Sequence, residues 1–161
     1  MRRFPWPARE FRRRSSQVLP SLICLSAVAV AVAAAADEPR PPQVASTSDG
    51  AFEVSQAARG KVSFLKNCST GCHMPGLTGG ERAPALAGDV FLQRWKGQTL
   101  EDLFVRIKST MPQQNPQSLS DQTYADVLAF ILQANGLPPG AHELPAQMDS
   151  LRRISIDSLG P

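Results

Sequence analysis

Apolar and small residues recur at helical spacing in three stretches of the chain, separated by segments dense in glycine and proline. Ala57, Gly60 and Phe64 stand at i, i+3 and i+7, and the same face reaches Cys68 about one turn later. The spacing predicts a helix from a Ser55 cap to about Asn67. Glycine is costly inside a helix, so Gly60 points to close approach by another element. Leu100, Leu103, Phe104 and Ile107 follow i, i+3, i+4 and i+7 behind Thr99 as a cap, and Pro112 and Pro116 end that helix. Tyr124, Val127, Leu128 and Ile131 share one face of a third helix, capped by Ser120 and stopped at Asn135-Gly136 with Pro138 just beyond. Asp89 to Trp95 fits a further short helix. No stretch alternates with the period of a strand and no segment repeats, so the expected fold class is all-α.

The flanks read differently. Arg2, Arg3, Arg9, Arg12, Arg13 and Arg14 precede an uncharged, alanine-rich run to Ala36, and Ala34-Ala35-Ala36 supplies the small residues of a cleavage site. Residues 1–36 are expected to be a signal peptide. The alternative is a retained membrane anchor, because the uncharged run is long enough to span. Alanine's weak hydropathy and Pro20 favour cleavage. Residues 37–53 are expected as a flexible linker, with Pro39, Pro41 and Pro42. Residues 54–138 form the folded domain, and 139–161 a tail packing on it or extending from it. Leu144, Leu151, Ile154 and Ile156 could lie across the domain surface.

This division changes the charge argument. Six of the 17 basic and one of the 14 acidic residues lie in the leader, so the chain from Asp37 has 11 against 13 and a net charge of −2. The high isoelectric point belongs to the leader, which leaves nucleic-acid binding without support. Beyond the leader only Cys68 and Cys72 remain, and an oxidising compartment would pair them unless something else claimed them.

The segment Asn67-Cys68-Ser69-Thr70-Gly71-Cys72-His73 carries the chemistry. Two thiols followed directly by an imidazole are the pattern of covalent haem c attachment. Each thiol can add to a haem vinyl, and the adjoining imidazole can bind the iron. The usual spacer is two residues; Ser69-Thr70-Gly71 is three, and Gly71 can take a conformation that bulges the loop. The spacing leaves open whether one or two thioether bonds form. The domain's few aromatics give a thin core, which a buried haem would fill. A second axial ligand must come from elsewhere. Met74 is adjacent to His73 and cannot cross the ring, while His142 and Met148 lie in the tail. Met111, between two helices and followed by Pro112, is the candidate, so His73 and Met111 are the expected iron ligands.

Ala58-Arg59-Gly60-Lys61 and Phe64, the Cys/Cys/His site, Ala83-Pro84-Ala85-Leu86-Ala87-Gly88, Met111-Pro112 and Tyr124 to Phe130 together resemble a class I cytochrome c. More narrowly, Leu77-Thr78-Gly79-Gly80, Trp95, Thr110-Met111-Pro112, Ser118-Leu119-Ser120-Asp121 and Asn135-Gly136 are similar to the small cytochrome c domains of quinoprotein alcohol dehydrogenases. The resemblance spans roughly residues 51–145 and implies the cytochrome c fold, three main helices around one haem. It also implies roles. Gly60 and Phe64 would cross against Leu128 and Phe130. The Pro84 carbonyl would accept from the second ring nitrogen of His73, Leu86 would pack on the haem, and Trp95 with Arg94 would bond a propionate.

The expectation is therefore a periplasmic monohaem electron carrier of a respiratory chain, not itself an enzyme. Exchange would run through the haem edge near the Cys68–Cys72 loop. The resemblance implies a quinoprotein dehydrogenase as donor and a cytochrome or terminal oxidase as acceptor. Alternatives are a fixed haem subunit of a dehydrogenase complex, and a peroxidase or sensor with an open iron position, against which the lack of His, Arg or Glu grouped beside Met111 argues. A Cys68–Cys72 disulfide would close too short a loop to stabilise much, and a zinc site from Cys68, Cys72, His73 and His142 needs adjacent residues to reach one ion.

Overall fold

Four helices follow from local signals that the backbone obeys. In a computed structural model, described for residues 45–157, these are α1 (Val54–Asn67), α2 (Asp89–Trp95), α3 (Leu100–Thr110) and α4 (Asp121–Ala134), with a one-turn α5 (Met148–Leu151) in the tail. The described residues hold isolated bridges but no strand. Residues 1–44 and 158–161, with the leader, the first part of the linker and the end of the tail, lie outside the described residues.

The caps decide where the helices begin. At α3, Thr99 Oγ1 accepts from the Asp102 amide and the Asp102 carboxylate accepts from the Thr99 amide, a reciprocal box. Those bonds from Thr99 hold the Asp102 carboxyl below the ordinary carboxylate range. Ser120 Oγ accepts from the Thr123 amide at the head of α4. At α1 the expectation fails: Glu53, not Ser55, is the N-cap, and Ser55 lies inside the first turn. The Ser55 hydroxyl donates to the Glu53 carboxylate at 3.0 Å, and no side chain caps α1.

α1 and α4 cross in backbone contact. A Cβ at Gly60 would stand 1.8 Å from the Asp126 carbonyl oxygen, so backbone meets backbone there. One turn on, the Phe64 and Phe130 rings pack with centroids 5.4 Å apart. Arg59 on α1 pins the crossing from outside, donating to Asp126 at 3.1 and 3.2 Å and to Glu143 at 2.7 Å.

The segment before α1 departs from expectation, whereas the tail takes the packed one of its two expected arrangements. Residues 45–53, expected within a flexible linker, are packed: Thr47–Asp49 form a 3-10 turn capped by Ser46, and Phe52 is wholly buried. A fully apolar ring amid the polar run supplies the burial that outweighs the linker composition. The Phe52 carbonyl accepts from the Gly140 amide at 2.7 Å, joining this segment to the tail. In the tail, Leu144, Leu151, Ile154 and Ile156 are all buried. Buried Gln56 bonds Leu144 in both directions, Nε2 donating to its carbonyl at 2.9 Å and Oε1 accepting from its amide at 2.6 Å. Ile154 and Ile156 pair by backbone with Gly97, Gln98 and Leu100 at the α2–α3 corner. The core is thus thicker than the helical segment alone provides, because Phe52, Leu144, Leu151 and Ile156 join it from outside residues 54–138.

Candidate functional site

Cys68 closes α1, its amide still bonded to the Phe64 carbonyl at 2.8 Å. The chain then widens. The His73 amide reaches back to the Cys68 carbonyl and the Met74 amide to Ser69, both at 3.2 Å and each spanning five residues. Gly71 has φ +71° and Thr70 ψ 106°, so the spacer is a bulge and not a continued helix. Nothing lies within 4 Å of a Cβ placed on Gly71; what glycine supplies there is the positive φ, not space. The bulge absorbs the third spacer residue. Ser69 anchors it, its hydroxyl donating to the Leu65 carbonyl at 2.8 Å.

Both cysteines are free and half-buried. Burial, with the neighbouring Cys72 adding, pushes the Cys68 thiol up to about 11. Among the described residues no group of three or more His, Cys, Asp and Glu side chains is arranged to hold a metal ion, and His142 is exposed on the tail. Neither the disulfide nor the zinc alternative gains support.

His73 is buried, 4% exposed, and its Nδ1 lies 3.0 Å from the Pro84 carbonyl oxygen. A carbonyl can only accept, so Nδ1 carries the proton and Nε2 is left as the basic nitrogen. Met111 is the C-cap of α3, its amide bonded to Ile107 at 2.8 Å and its carbonyl accepting from the buried Tyr124 hydroxyl at 2.7 Å. The thioether therefore hangs from backbone held on both sides.

These groups share one cleft. Phe64 and Cys68 of α1, His73, Pro84 and Leu86 of the following loop, Phe91 and Trp95 of α2, Leu103 and Ile107 of α3, Met111, and Val127 and Ile131 of α4 line it. About 850 Å³ of empty space lies in it, the open solvent at its mouth included. An adjoining recess repeats Cys68, His73, Pro84 and Met111 and adds Cys72. Of the residues singled out from sequence, Cys68, His73, Pro84, Leu86, Trp95 and Met111 thus meet in the main cleft and Cys72 stands beside it. Met148 packs on the core and Met74 is exposed; neither lines the cleft.

Two contributors escaped the sequence reading. Asn135, read as a helix stop and as part of the resemblance but given no role at the site, is buried and spans two elements. Its Nδ2 donates to the Leu86 carbonyl at 2.9 Å and its Oδ1 accepts from the Gly88 amide at 3.0 Å, fixing the loop that carries Leu86. Arg106, which polarity alone marks as solvated, also lines the cleft. Its register was a usable signal: Leu103, Arg106, Ile107 and Thr110 lie at i, i+3, i+4 and i+7.

Residues 55–131 match the family model described as cytochrome c oxidase, cbb3-type, subunit III. The match supports a class I cytochrome c. No curated protein and no solved structure matches the chain. The all-α arrangement is the cytochrome c fold, and a cytochrome c domain implies covalently bound haem c with iron, for which Cys68 and Cys72 are positioned. The residues present fit that group: largely apolar walls, an imidazole with its basic nitrogen set by a hydrogen bond, a thioether, and two thiols at one end. The match speaks for a haem electron-transfer protein with redox partners; it does not describe a quinoprotein alcohol dehydrogenase.

Proposed function

We propose that this chain is a periplasmic monohaem c-type cytochrome in which His73 and Met111 would hold the haem iron, carrying electrons from a quinoprotein dehydrogenase to a downstream cytochrome or terminal oxidase. The observation that carries the reading is that His73, Met111 and Cys68 line one apolar cleft. When bound, the haem supplies a one-electron couple between ferric and ferrous iron.

The chain's own residues then do the rest. Pro84 holds the His73 ring in one tautomer and orientation, which keeps Nε2 basic. Tyr124 and Ile107 hold the backbone on which Met111 sits, so the soft sulfur is presented without searching. Phe64, Leu86 and Ile131 keep the cleft apolar, which disfavours the more highly charged ferric state and, with a thioether ligand, raises the reduction potential. Export rests on the leader read from sequence; among the described residues no helix is long and apolar enough to cross a membrane.

A second reading makes the chain a fixed haem subunit of an oxidoreductase complex, favoured by the matched family's description as an oxidase subunit. Salt separates the two: a steered, freely diffusing carrier loses reduction rate as ionic strength rises, and a fixed subunit does not.

The direct test is Met111→Ala in the holoprotein. The expected result is a lower midpoint potential and new binding of carbon monoxide to the ferrous form, which the unaltered protein resists. Ready carbon monoxide binding by the unaltered protein, unchanged by the substitution, would contradict Met111 ligation and support an open-site sensor or peroxidase.

A further inference from the structure

Gly79 touches both partners of the hydrogen bond that orients His73. Its amide donates to the His73 carbonyl at 3.2 Å. A Cβ on Gly79 would stand 2.5 Å from the Ala85 nitrogen, 2.6 Å from the Pro84 carbonyl carbon and 2.8 Å from the Ala83 carbonyl oxygen. The first two atoms belong to the peptide whose oxygen lies 3.0 Å from His73 Nδ1. The acceptor of that bond therefore rests against the Gly79 backbone, with no room for a side chain between them.

The crowding is specific to this position. Of the three glycines between His73 and Pro84, Gly76 is exposed and its Cβ would meet only Thr78 Cγ2 at 3.6 Å, and a Cβ on Gly80 would meet only the Cys72 carbonyl oxygen at 3.6 Å. Gly79 is buried. The chain on either side of the crowded peptide is tied. The Gly80 amide donates to the Ala83 carbonyl at 2.9 Å just before Pro84. Beyond Ala85, the Leu86 amide donates to the Leu77 carbonyl at 2.8 Å and the Leu86 carbonyl accepts from Asn135 at 2.9 Å.

We propose that Gly79 is a positioning residue that sets the reduction potential, because its bare backbone decides how closely the Pro84 carbonyl approaches His73. This rests on the haem c reading above. A carbonyl near the Nδ1 proton makes the ring more electron-rich at Nε2, which favours ferric iron and holds the potential down. At 3.0 Å the bond has its ordinary length, so an acceptor pushed away from a new side chain bonds Nδ1 less well. The three crowding atoms are backbone, so no side-chain rotation relieves the contact. A side chain at position 79 therefore raises the potential. General damage has the opposite sign: a loop that opens lets water reach the iron, which stabilises the ferric state and lowers the potential.

The test uses holoprotein matured with haem c, whose covalent attachment is first verified by its alkaline pyridine spectrum. Absence of covalent haem in the unaltered protein is a failure of the parent reading, and is seen before any glycine is changed. Midpoint potentials and the proton resonance of His73 Nδ1 in the ferrous state are then measured for Gly79→Ala and Gly76→Ala. The expected result is a higher potential and an upfield-shifted Nδ1 proton in Gly79→Ala, with both unchanged in Gly76→Ala. A lowered potential, or an unmoved Nδ1 proton, would overturn the proposal and leave Gly79 a packing residue. Equal shifts in Gly76→Ala would also overturn it. Hydrogen exchange in the unaltered holoprotein gives an answer even where Gly79→Ala fails to take up haem. The Gly79 amide and the Nδ1 proton should exchange through one opening, with the same dependence on denaturant. An Nδ1 proton that exchanges while the Gly79 amide stays protected would overturn the proposal.

Discussion

Replacing Gly60 with alanine should unfold this domain more readily, although alanine is the better helix former. By propensity alone the exchange favours α1 by about 1 kcal/mol. Geometry opposes it. The added Cβ would lie 1.8 Å from the Asp126 carbonyl oxygen, 2.5 Å from its carbon and 3.0 Å from the Phe130 Cβ, where ordinary contact begins near 3.4 Å. Two of those three atoms are backbone, so no side-chain rotation relieves the clash. The helices must separate by more than 1 Å on the oxygen contact alone, loosening the Phe64–Phe130 pair behind it. Overpacking of this kind costs about 1–3 kcal/mol, and backbone contact belongs at or above the upper end, leaving a net loss of about 2 kcal/mol. For a domain near 100 residues that lowers the midpoint by about 10 °C. Thermal unfolding of the holoprotein, followed by far-ultraviolet circular dichroism and by haem absorbance, measures it. Ala58→Gly, at an exposed position in the same helix, calibrates the propensity term at about 1 kcal/mol. A Gly60→Ala protein as stable as the original would refute the close crossing.

Asn135→Ala should destabilise by about 2–3 kcal/mol, because the Gly88 amide and the Leu86 carbonyl lose their partner, and urea unfolding measures it. The same variant should admit small exogenous ligands to the iron faster, since the loop bearing Leu86 loses its tie to α4. Glu101→Gln tests an exposed pair. Arg152 donates twice to Glu101 at 2.7 Å and holds its carboxyl below the ordinary 4.5. A depressed folded value stabilises above the unfolded one, so the deficit of the variant should be present at neutral pH and vanish as the pH falls below 4.5. It should also shrink in high salt, as pH- and salt-series melting curves will show.

How much of this was readable depended on whether the cause was local. The starts of α3 and α4 were legible because Thr99 and Ser120 each cap a residue three positions away, and Asn135-Gly136 marks a stop by conformation alone. Gly60 was legible as a close approach because its cost inside a helix demanded a reason. The tail's apolar residues were legible as a packing set but their docking place was not, since Ile154 and Ile156 bond a corner more than 50 residues earlier without any period of their own. Phe52 hid in a polar, proline-rich neighbourhood whose composition spoke for a linker. Nothing local marks Gln56 as buried, although both ends of its amide are spent on Leu144. Of the cleft residues, Cys68, Cys72 and His73 were marked as candidates by their spacing and Met111 by elimination, and the cleft and its recess bring them together. Arg106 was not, because a charge within a helix is normally solvated and only the cleft shows what it faces. Asn135 acts across 47 residues on Gly88, a distance no local pattern encodes.

The account stands or falls on covalent haem held across a three-residue spacer. The decisive measurement is the alkaline pyridine haemochrome spectrum of the protein purified from a host able to mature c-type cytochromes. The account predicts one haem per chain that resists acid–acetone extraction, with the α-band of a haem whose two vinyls are both saturated. Extractable haem, or none, would contradict it.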